Sequence, residues 1–431
     1  MSTPNINKIQ RIHFIGIGGI GMSALARHFL FEKKTVSGSD RSLSPITKAL
    51  AAEGVQIFGE QVASNITDDI ELIVYTEAMS KTHEEMKAAR ELDVPMMNYF
   101  EALGLAMNPY YLIAVAGTHG KTTTSAMITD VFETAEKDPT AVIGSLRATT
   151  KSNYRAGKSK YAIVEACEYK RDFLSLKPEV LVITNLEHEH VDYYPDLAAV
   201  QRAFRKLAKQ VSDTGVIIAN ITDPNVAPIL KGLDVEVVNY MDFVDLELPL
   251  KQPGIHNCLN AAAALAVATH EKLDLDAAKN ALLHFAGTWR RFEFKGDCNG
   301  APVYDDYGHH PTEIKATIAG ARELYPDKRI VVAFQPHTFT RTAALFDDFA
   351  KAFSGADSVV FLPIYAAREN NETGVSSREL AVKALEYVPE SRFAESFEAA
   401  EQLLRQQLTD HEVLVVMGAG DVTELASALT R

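Results

Sequence analysis

The sequence predicts an α/β fold of three domains in series, at residues 1–107, 108–289 and 290–431. A chain of 431 residues is too long for one ordinary hydrophobic core. Short apolar strands alternate with helical stretches along the chain, which is typical of mostly parallel sheets. Two glycine-rich turns each join a strand to a helix. We therefore expect a Rossmann-like domain, a central domain of the P-loop ATPase type, and a second Rossmann-like domain.

The composition indicates a globular protein, with 47% apolar and 23% charged residues. A net charge of −14 disfavours general binding to nucleic acid. No apolar run is long enough to cross a membrane, and the first residues do not resemble a signal peptide. Cys167, Cys258 and Cys298 are too few and too widely spaced for a disulfide framework. We expect a cytoplasmic protein without nucleic-acid or membrane partners; the oligomeric state stays open.

The first glycine-rich turn is "RIHFIGIGGIGMS", at residues 11–23. Gly16, Gly18 and Gly21 fit the pattern G-x-G-x-x-G, and Asp40 follows the next strand, "TVSGSD". This pattern is typical of a dinucleotide-binding turn. The residues alone leave open whether the turn holds a nicotinamide cofactor or a different phosphate.

The second turn is "AVAGTHGKTTT", which contains Gly117, Gly120, Lys121 and Thr122. Glycines let backbone amides surround an anion, lysine provides charge for the outer phosphates, and threonine can ligate Mg²⁺. The match to a Walker A loop is incomplete, because Val115 stands where that pattern has glycine. The turn still predicts nucleotide binding.

Candidate metal ligands follow on the neighbouring strands. Glu165 lies at the carboxyl end of "KYAIVEA", and His190 follows the next strand in "TNLEHEHVD". An alternative is a metallo-hydrolase site formed by His188, His190 and Asp192. That alternative lacks a final histidine, because Tyr193 occupies its place, and it leaves the second turn unexplained.

Further polar clusters occur beyond the central strands. His256, Asn257 and Asn260 open an alanine-rich helix, where they could either cap the helix or contact a base. The third domain has three dense groups, which are "RRFEFKG" with Arg290 and Arg291, "YDDYGHHPTE" with Asp305, Asp306, Tyr307, His309 and His310, and "FQPHTFTRT" with His337 and Arg341. We expect the second group to form a loop before a helix that starts near Pro311. So many titratable groups in one domain favour a cleft.

Together these motifs resemble the Mur ligases. The matching elements, in family order, are "GIGGIGMS", "SGSD", "GTHGKTTT", the Glu165 strand, "TNLEHEH", "GIHNCLN", "RRFE", "DDYGHHPTE", "FQPHTFTRT" and "MGAGD". The resemblance implies an ATP- and Mg²⁺-dependent ligase of peptidoglycan precursor synthesis. It further implies that the enzyme joins L-alanine to the carboxylate of UDP-N-acetylmuramate through an acyl phosphate. Alternatives are the ligase that recycles murein tripeptide and, less well supported, an NAD-dependent oxidoreductase.

The resemblance also implies roles for individual residues. Those implied for the UDP-sugar or amino-acid substrate are Gly18, Gly19, Gly21, Asp40, Asp306 and Tyr307. Those implied for ATP are Gly117, Thr118, His119, Gly120, Lys121, Thr122, Thr123, His256, Asn257, Asn260 and Arg291. The implied Mg²⁺ ligands are Thr122, Glu165 and His190, and the implied catalytic residues are Lys121, His309, His310 and Arg341. A general base is needed for the amine, and the sequence does not distinguish His309 from His310.

The chain departs from the family pattern at three places. Thr338 stands where many members have an arginine for the amino-acid carboxylate. Cys167 stands where many members have an aspartate, in "EACEYKRD". The span between "GVIIAN" and "PGIHN" is short for the family, which predicts that strands are missing from the edge of the central domain.

Overall fold

The computed structural model describes residues 6–191, 193–367 and 369–431 and contains three β-sheets. The chain divides into two compact units. The first comprises Met1–His188, Asp196–Phe243 and Ala261–Leu282 and carries two of the sheets. The second comprises Glu189–Pro195, Val244–Asn260 and Leu283–Arg431 and carries the third sheet.

The first sheet has five parallel strands in the order β3-β2-β1-β4-β5. Its elements are β1 (Arg11–Ile15), α1 (Ile20–Phe31), β2 (Thr35–Ser39), α2 (Pro45–Ala52), β3 (Gln56–Phe58), β4 (Leu72–Tyr75), α3 (Glu84–Glu91), β5 (Met96–Asn98) and α4 (Tyr99–Met107). Short 3₁₀ turns cover Ile6–Lys8 and Ala63–Asn65. Four of the five residues of β1 are buried, as expected for a central strand of a parallel sheet.

The second sheet has seven strands in the order β12-β11-β10-β6-β9-β7-β8, and β8 alone among them runs antiparallel to its neighbour. Its elements are β6 (Tyr111–Ala116), α5 (Lys121–Thr134), β7 (Thr140–Val142), β8 (Tyr154–Arg155), β9 (Tyr161–Glu165), β10 (Val180–Ile183), α6 (Leu197–Ala208), β11 (Val216–Ala219), α7 (Ala227–Leu230), β12 (Glu236–Asn239), α8 (Ile255–His270) and α9 (Leu275–His284). The 3₁₀ turns are Tyr169–Ser175 and Tyr240–Phe243. The strand β12 lies at the edge of the sheet and begins with two exposed residues.

The third sheet has six strands in the order β13-β14-β18-β15-β16-β17, with β13 antiparallel to β14. Its elements are β13 (Glu293–Cys298), β14 (Ala301–Asp306), α10 (Pro311–Leu324), β15 (Arg329–Phe334), α11 (Phe339–Ala344), α12 (Phe346–Ala352), β16 (Ser358–Phe361), α13 (Ser377–Ala384), β17 (Glu390–Phe393), α14 (Phe397–Gln407), β18 (Glu412–Met417) and α15 (Thr423–Leu429).

The strand β15 is buried on both faces of the third sheet. Ile330, Val332 and Phe334 pack into one hydrophobic cluster. Val331 and Ala333 alternate with them and pack into a second cluster. A strand buried on both faces has a continuous apolar run, which is how the sequence "RIVVAF" indicates it.

The prediction for "YDDYGHHPTE" was wrong at its start. Asp305 and Asp306 are the last residues of β14 rather than part of a loop. The loop begins at Tyr307, and α10 begins at Pro311, as the sequence predicts. Two adjacent acidic residues are typical of a solvated turn, which is why a loop was predicted. Here both carboxylates are buried and hydrogen bonded.

Candidate active site

The glycine-rich turn after β1 is held against the end of β2. The amides of Gly16 and Ile17 donate to the carbonyl of Ser39 at 2.9 and 3.0 Å. The amide of Gly18 donates to Asp40 Oδ2 at 2.8 Å. The structure therefore brings Asp40 onto the turn, where its carboxylate helps to shape the backbone.

The helix α1 starts directly at this turn. Gly19 precedes its first residue and offers no side chain to cap the helix. The first amides of an α-helix have no partners within the helix, so an anion is favoured at this position. Gly21 lies against Tyr99, because a β-carbon at Gly21 would come within 2.6 Å of the Tyr99 ring.

A buried polar network that the sequence analysis missed supports the end of β2. The Ser39 hydroxyl donates to Glu85 Oε2 at 2.7 Å, and Asn65 Nδ2 donates to Glu85 Oε1 at 2.8 Å. His13 Nε2 lies 3.8 Å from Glu85 Oε1. Burial alone would raise the pKa of Glu85, but the nearby His13 imidazole and the hydrogen bonds from Asn65 and Ser39 together lower it. The available signal for this network was His13, a polar residue inside the apolar strand β1.

The second turn joins β6 to α5 and is clamped by residues that follow β10. The amide of His119 donates to Asn185 Oδ1 at 2.9 Å, and the amide of Thr118 donates to the Asn185 carbonyl at 3.1 Å. The Thr184 hydroxyl donates to the carbonyl of His119 at 2.6 Å. Gly120 precedes the helix with φ of +81°, a conformation that favours glycine. The sequence analysis missed Thr184 and Asn185, although they directly follow β10, the strand beside β6.

Lys121 is held inside this turn by an acidic partner. Its Nζ lies 2.9 Å from Glu168 Oε2 and donates to the Thr118 carbonyl at 3.0 Å. Burial alone would lower the pKa of Lys121, but the acidic groups beside it, chiefly Glu168, together outweigh burial and raise it. Lys121 is therefore an ammonium ion at neutral pH. Glu168 is 2% exposed, and the sequence analysis did not select it.

Thr122 and Glu165 form a pair of oxygen donors beside the turn. Thr122 Oγ1 donates to Glu165 Oε2 at 2.8 Å, and the Gly144 amide donates to the same oxygen at 2.9 Å. Hydroxyl and carboxylate oxygens are the ligands that Mg²⁺ prefers, so this donor set fits the ion implied by the resemblance. His190, the third predicted ligand, belongs to the second unit. Asp192 of the metallo-hydrolase alternative lies outside the described residues.

Cys167 adds no negative charge beside Lys121. Burial raises the pKa of the Cys167 thiol to about 12, so the side chain is neutral at physiological pH. The departure from an acidic residue at this position therefore leaves Glu165 and Glu168 as the nearby carboxylates that act on Lys121.

In the second unit, two arginines lie over Tyr307. The guanidinium carbons of Arg290 and Arg291 are each 5.2 Å from the centre of the Tyr307 ring. Arg290 is buried, and its Nε lies 3.3 Å from Asp305. Asp306, predicted as a substrate residue, accepts the amides of Phe292 at 2.8 Å and Gly308 at 2.7 Å. Its carboxylate therefore shapes the loop that carries Tyr307.

The two adjacent histidines of this loop make different hydrogen bonds. His309 Nδ1 lies 3.0 Å from the carbonyl of Tyr307, which can only accept, so Nδ1 carries the proton and Nε2 the lone pair. His310 Nδ1 accepts the amide of Thr312 at 3.3 Å and caps α10. Burial lowers the pKa of His309 to about 4, so its ring is neutral at pH 7. The two histidines, which the sequence could not distinguish, therefore differ in which ring nitrogen carries the proton.

Arg341 pairs with a residue that the sequence analysis passed over. Its Nη2 lies 2.8 Å from Glu189 Oε1, and its Nη1 lies 3.2 Å from His337 Nδ1. The His337 ring stacks on Tyr365 with centroids 5.5 Å apart. Burial lowers the pKa of His337 to about 4. Glu189 stands between His188 and His190, the residues on which the metal interpretation concentrated.

The predicted cluster at the start of α8 forms as a buried group. Asn257 Nδ2 donates to the Pro253 carbonyl at 2.8 Å and lies 3.1 Å from His256 Nε2. Asn260 Nδ2 donates to Asn257 Oδ1 at 3.4 Å. Burial lowers the pKa of His256 to about 4. The contacts include one to the chain before the helix, so Asn257 fixes how the chain enters α8.

Comparison with known proteins agrees with the resemblance along the chain. The Mur ligase family catalytic domain matches residues 11–111, the Mur ligase middle domain 115–242, and the Mur ligase glutamate ligase domain 290–420. A UDP-N-acetylmuramate–L-alanine ligase from Agathobacter rectalis is 40% identical over 455 residues, covering 99% of each chain. That alignment is longer than the 431 residues of this chain, so the relative has segments without a counterpart here.

Two solved structures share the fold. The UDP-N-acetylmuramate-alanine ligase of Thermotoga maritima has a TM-score of 0.81 and 28% identity, covering 97% of this chain and 98% of that chain. A murein peptide ligase from Psychrobacter arcticus has a TM-score of 0.72 at 24% identity, with 97% and 98% covered, and shows the fold alone.

The chain belongs to the Mur ligase family. The predicted α/β fold of three domains in series is confirmed. The chain is therefore an ATP-dependent ligase that forms an amide bond, and the oxidoreductase alternative is set aside. Across residues 6–191, 193–367 and 369–431, none of the helices combines the length and apolar character of a membrane span.

Proposed function

We propose that this enzyme joins L-alanine to the carboxylate of UDP-N-acetylmuramate with cleavage of ATP to ADP and phosphate. The observation that carries the chemistry is the phosphate turn, where charged Lys121 stands beside the Thr122 and Glu165 oxygen pair. The choice of substrates is supported by 40% identity, over 99% of both chains, to a ligase that is named for them.

The first proposed step transfers the γ-phosphoryl group of ATP to the sugar carboxylate. A carboxylate is a poor acylating agent, whereas an acyl phosphate has a good leaving group. The ammonium of Lys121 and the amides of the turn stabilise negative charge on the transferring group. Mg²⁺, bound by Thr122, Glu165 and the further proposed ligand His190, would neutralise phosphate charge.

In the second proposed step the neutral amino group of L-alanine attacks the acyl phosphate, and phosphate leaves. A base must take the proton from the amine. We assign this role to His309, because the Tyr307 carbonyl holds its Nδ1 proton and directs the lone pair to Nε2. His310 uses its Nδ1 lone pair to cap α10 and serves to orient the loop. Arg341, which is held by Glu189, is proposed as a further catalytic residue.

The UDP-sugar is proposed to bind at the turn formed by Gly18, Gly19 and Gly21 with Asp40 beside it. The backbone donors at the start of α1 suit a diphosphate as well as they suit a dinucleotide. ATP is proposed to contact the turn at residues 117–123 and to place its base near His256, Asn257 and Asn260, with Arg291 as a further contact.

We also propose domain boundaries at 1–107, 108–289 and 290–431, which fall in the gaps between the three sheets. A cytoplasmic location is proposed because ATP and UDP-sugars are cytoplasmic metabolites.

One assay tests the function. Release of phosphate from ATP is measured with UDP-N-acetylmuramate and L-alanine together and with each omitted, and the product is identified by mass. We expect release only with both substrates. Glycine, L-serine and the tripeptide L-alanyl-γ-D-glutamyl-meso-diaminopimelate serve as competing acceptors. Preference for the tripeptide would replace the proposal by the recycling reaction, and release independent of the sugar would overturn it.

A further inference from the structure

The segment at residues 143–153 connects β7 to β8 and reaches two parts of the first unit. At one end, the Gly144 amide donates to Glu165 Oε2 at 2.9 Å. A β-carbon at Gly144 would lie 2.2 Å from that oxygen, so the backbone can approach the carboxylate only at a glycine. This end of the segment therefore helps to place Glu165.

At the other end, Asn153 is fully buried against the start of α1. Its Nδ2 donates to the carbonyl of Ile20 and, at 3.0 Å, to Ser23 Oγ. Its Oδ1 accepts from Arg27 Nη1 at 2.8 Å. Asparagine suits this position because one side chain both donates and accepts. Alanine would remove a donor from the buried Ser23 hydroxyl and one of the donors to the Ile20 carbonyl, which also accepts from Ser23 Oγ at 2.9 Å.

The two ends are tied to each other. The amide of Ile143, next to Gly144, donates to the carbonyl of Asn153 at 2.9 Å. The chain of contacts therefore runs from Glu165 through Gly144 and Asn153 to the first turn of α1. That turn carries the proposed diphosphate site, and Glu165 belongs to the proposed Mg²⁺·ATP site.

We propose that Asn153 is a positioning residue. It holds the glycine-rich turn at residues 16–21, the proposed UDP-sugar site, at a fixed position relative to the turn at residues 117–123, the proposed ATP site. The proposal rests on the proposed function, because only a reaction between the two ligands requires a fixed relative position of the two turns. Misplacement of reacting groups by about 1 Å can cost about 100-fold in rate. Asn153 therefore acts on the rate of phosphoryl transfer and leaves the affinity for each substrate alone.

The experiment compares the wild type with Asn153→Ala and with Ser152→Ala as a matched control. The Ser152 hydroxyl hydrogen bonds to the backbone of Tyr154, two residues further along the chain. Steady-state kcat is measured, together with the separate dissociation constants of UDP-N-acetylmuramate and of a non-hydrolysable ATP analogue. We expect kcat of Asn153→Ala to fall about tenfold or more, with both dissociation constants unchanged. Ser152→Ala should match the wild type.

Unchanged kcat in a folded Asn153→Ala protein would overturn the proposal. A raised dissociation constant for the UDP-sugar with unchanged kcat would also overturn it, because Asn153 would then belong to the binding site. If Asn153→Ala unfolds, Ser23→Ala removes one partner of the same amide and should lower kcat in the same way. Equal kcat in folded Ser23→Ala would then decide against the proposal. An inactive wild type would instead count against the proposed function.

Discussion

Glu189 and Arg341, 152 positions apart in the sequence, form a largely buried ion pair with an N–O distance of 2.8 Å. Burial alone would raise the pKa of Glu189, but the positive charges around it, chiefly that of Arg341, together outweigh burial and lower the pKa to about 2. The pair connects the segment after β10 with α11, within the second unit.

We expect Glu189→Gln to leave the guanidinium of Arg341 without its buried counter-charge. Breaking such a pair costs about 3 kcal/mol in the free energy of unfolding. Thermal unfolding at pH 7 measures this loss. The wild type should have its full excess in melting temperature over Glu189→Gln above pH 4.5. This excess should shrink as the pH falls toward 2, because Glu189 is then protonated in the folded as well as in the unfolded state. Equal melting temperatures at pH 7 would contradict the expectation.

Lys121→Ala should abolish turnover while leaving UDP-sugar binding nearly intact. The ammonium acts on the transferring phosphoryl group, so kcat should fall by about 100-fold or more. Kinetics and a direct binding measurement for the UDP-sugar test the two halves of this expectation. Lys137→Ala, at an exposed position after α5, is the matched control and should keep wild-type kcat. Loss of sugar binding in Lys121→Ala would speak against separate sites.

His309→Asn and His310→Asn should differ in kcat. Asparagine is a good helix N-cap, so it can replace His310 at the start of α10. It cannot act as a base at position 309, where we expect kcat to fall about 100-fold. Steady-state kcat at saturating substrates measures both variants, and thermal unfolding checks their folding. If His310→Asn loses as much activity as His309→Asn or more, then His309 is not the base.

Four histidines with lowered pKa values should make the stability of the protein depend on pH. Burial lowers the pKa of each to about 4, and they are His28, His256, His309 and His337. The ordinary value in the unfolded chain is about 6.5, so the unfolded state binds more protons between pH 6.5 and 4. The melting temperature should therefore fall as the pH is lowered through this window.

A single variant isolates one of these groups. His28 lies in the first unit, 3.2 Å from the Tyr154 hydroxyl and outside the catalytic residues. His28→Gln removes its titration, so the melting temperature of this variant should fall less steeply between pH 6.5 and 4 than that of the wild type. An identical slope would show that His28 does not contribute.

The long apolar strands and the two turns were predictable because their signals are local. The run "RIVVAF" indicates β15, and a glycine-rich turn between strand and helix indicates each phosphate site. The strands β3, β7 and β8 have two or three residues, which is too short for a periodic signal. Asp305 and Asp306 looked solvated because their partners, Arg290 and the amides of Phe292 and Gly308, come from other segments.

The residues of the candidate site also differ in whether the sequence could predict them. Lys121, Thr122 and Glu165 stand out from motif and strand position alone. Glu168 and Glu189 do not, because a lone glutamate is usually solvated and only its cationic partner marks it. The difference between His309 and His310 is invisible in the sequence, since it depends on which nitrogen meets the Tyr307 carbonyl and which meets the Thr312 amide.

By itself the sequence determined the fold class, the family and both glycine-rich turns, and it supplied most of the residues proposed for the substrates. The residue types of a turn and the periodicity of a strand depend on residues adjacent in the sequence, so both could be predicted without the structure. Only the tertiary structure decided which carboxylate holds Lys121, which histidine presents its Nε2 lone pair, and how Asn153 reaches the start of α1. Hydrogen bonds and ion pairs depend on distances between segments, and those distances exist only once the sheets have formed.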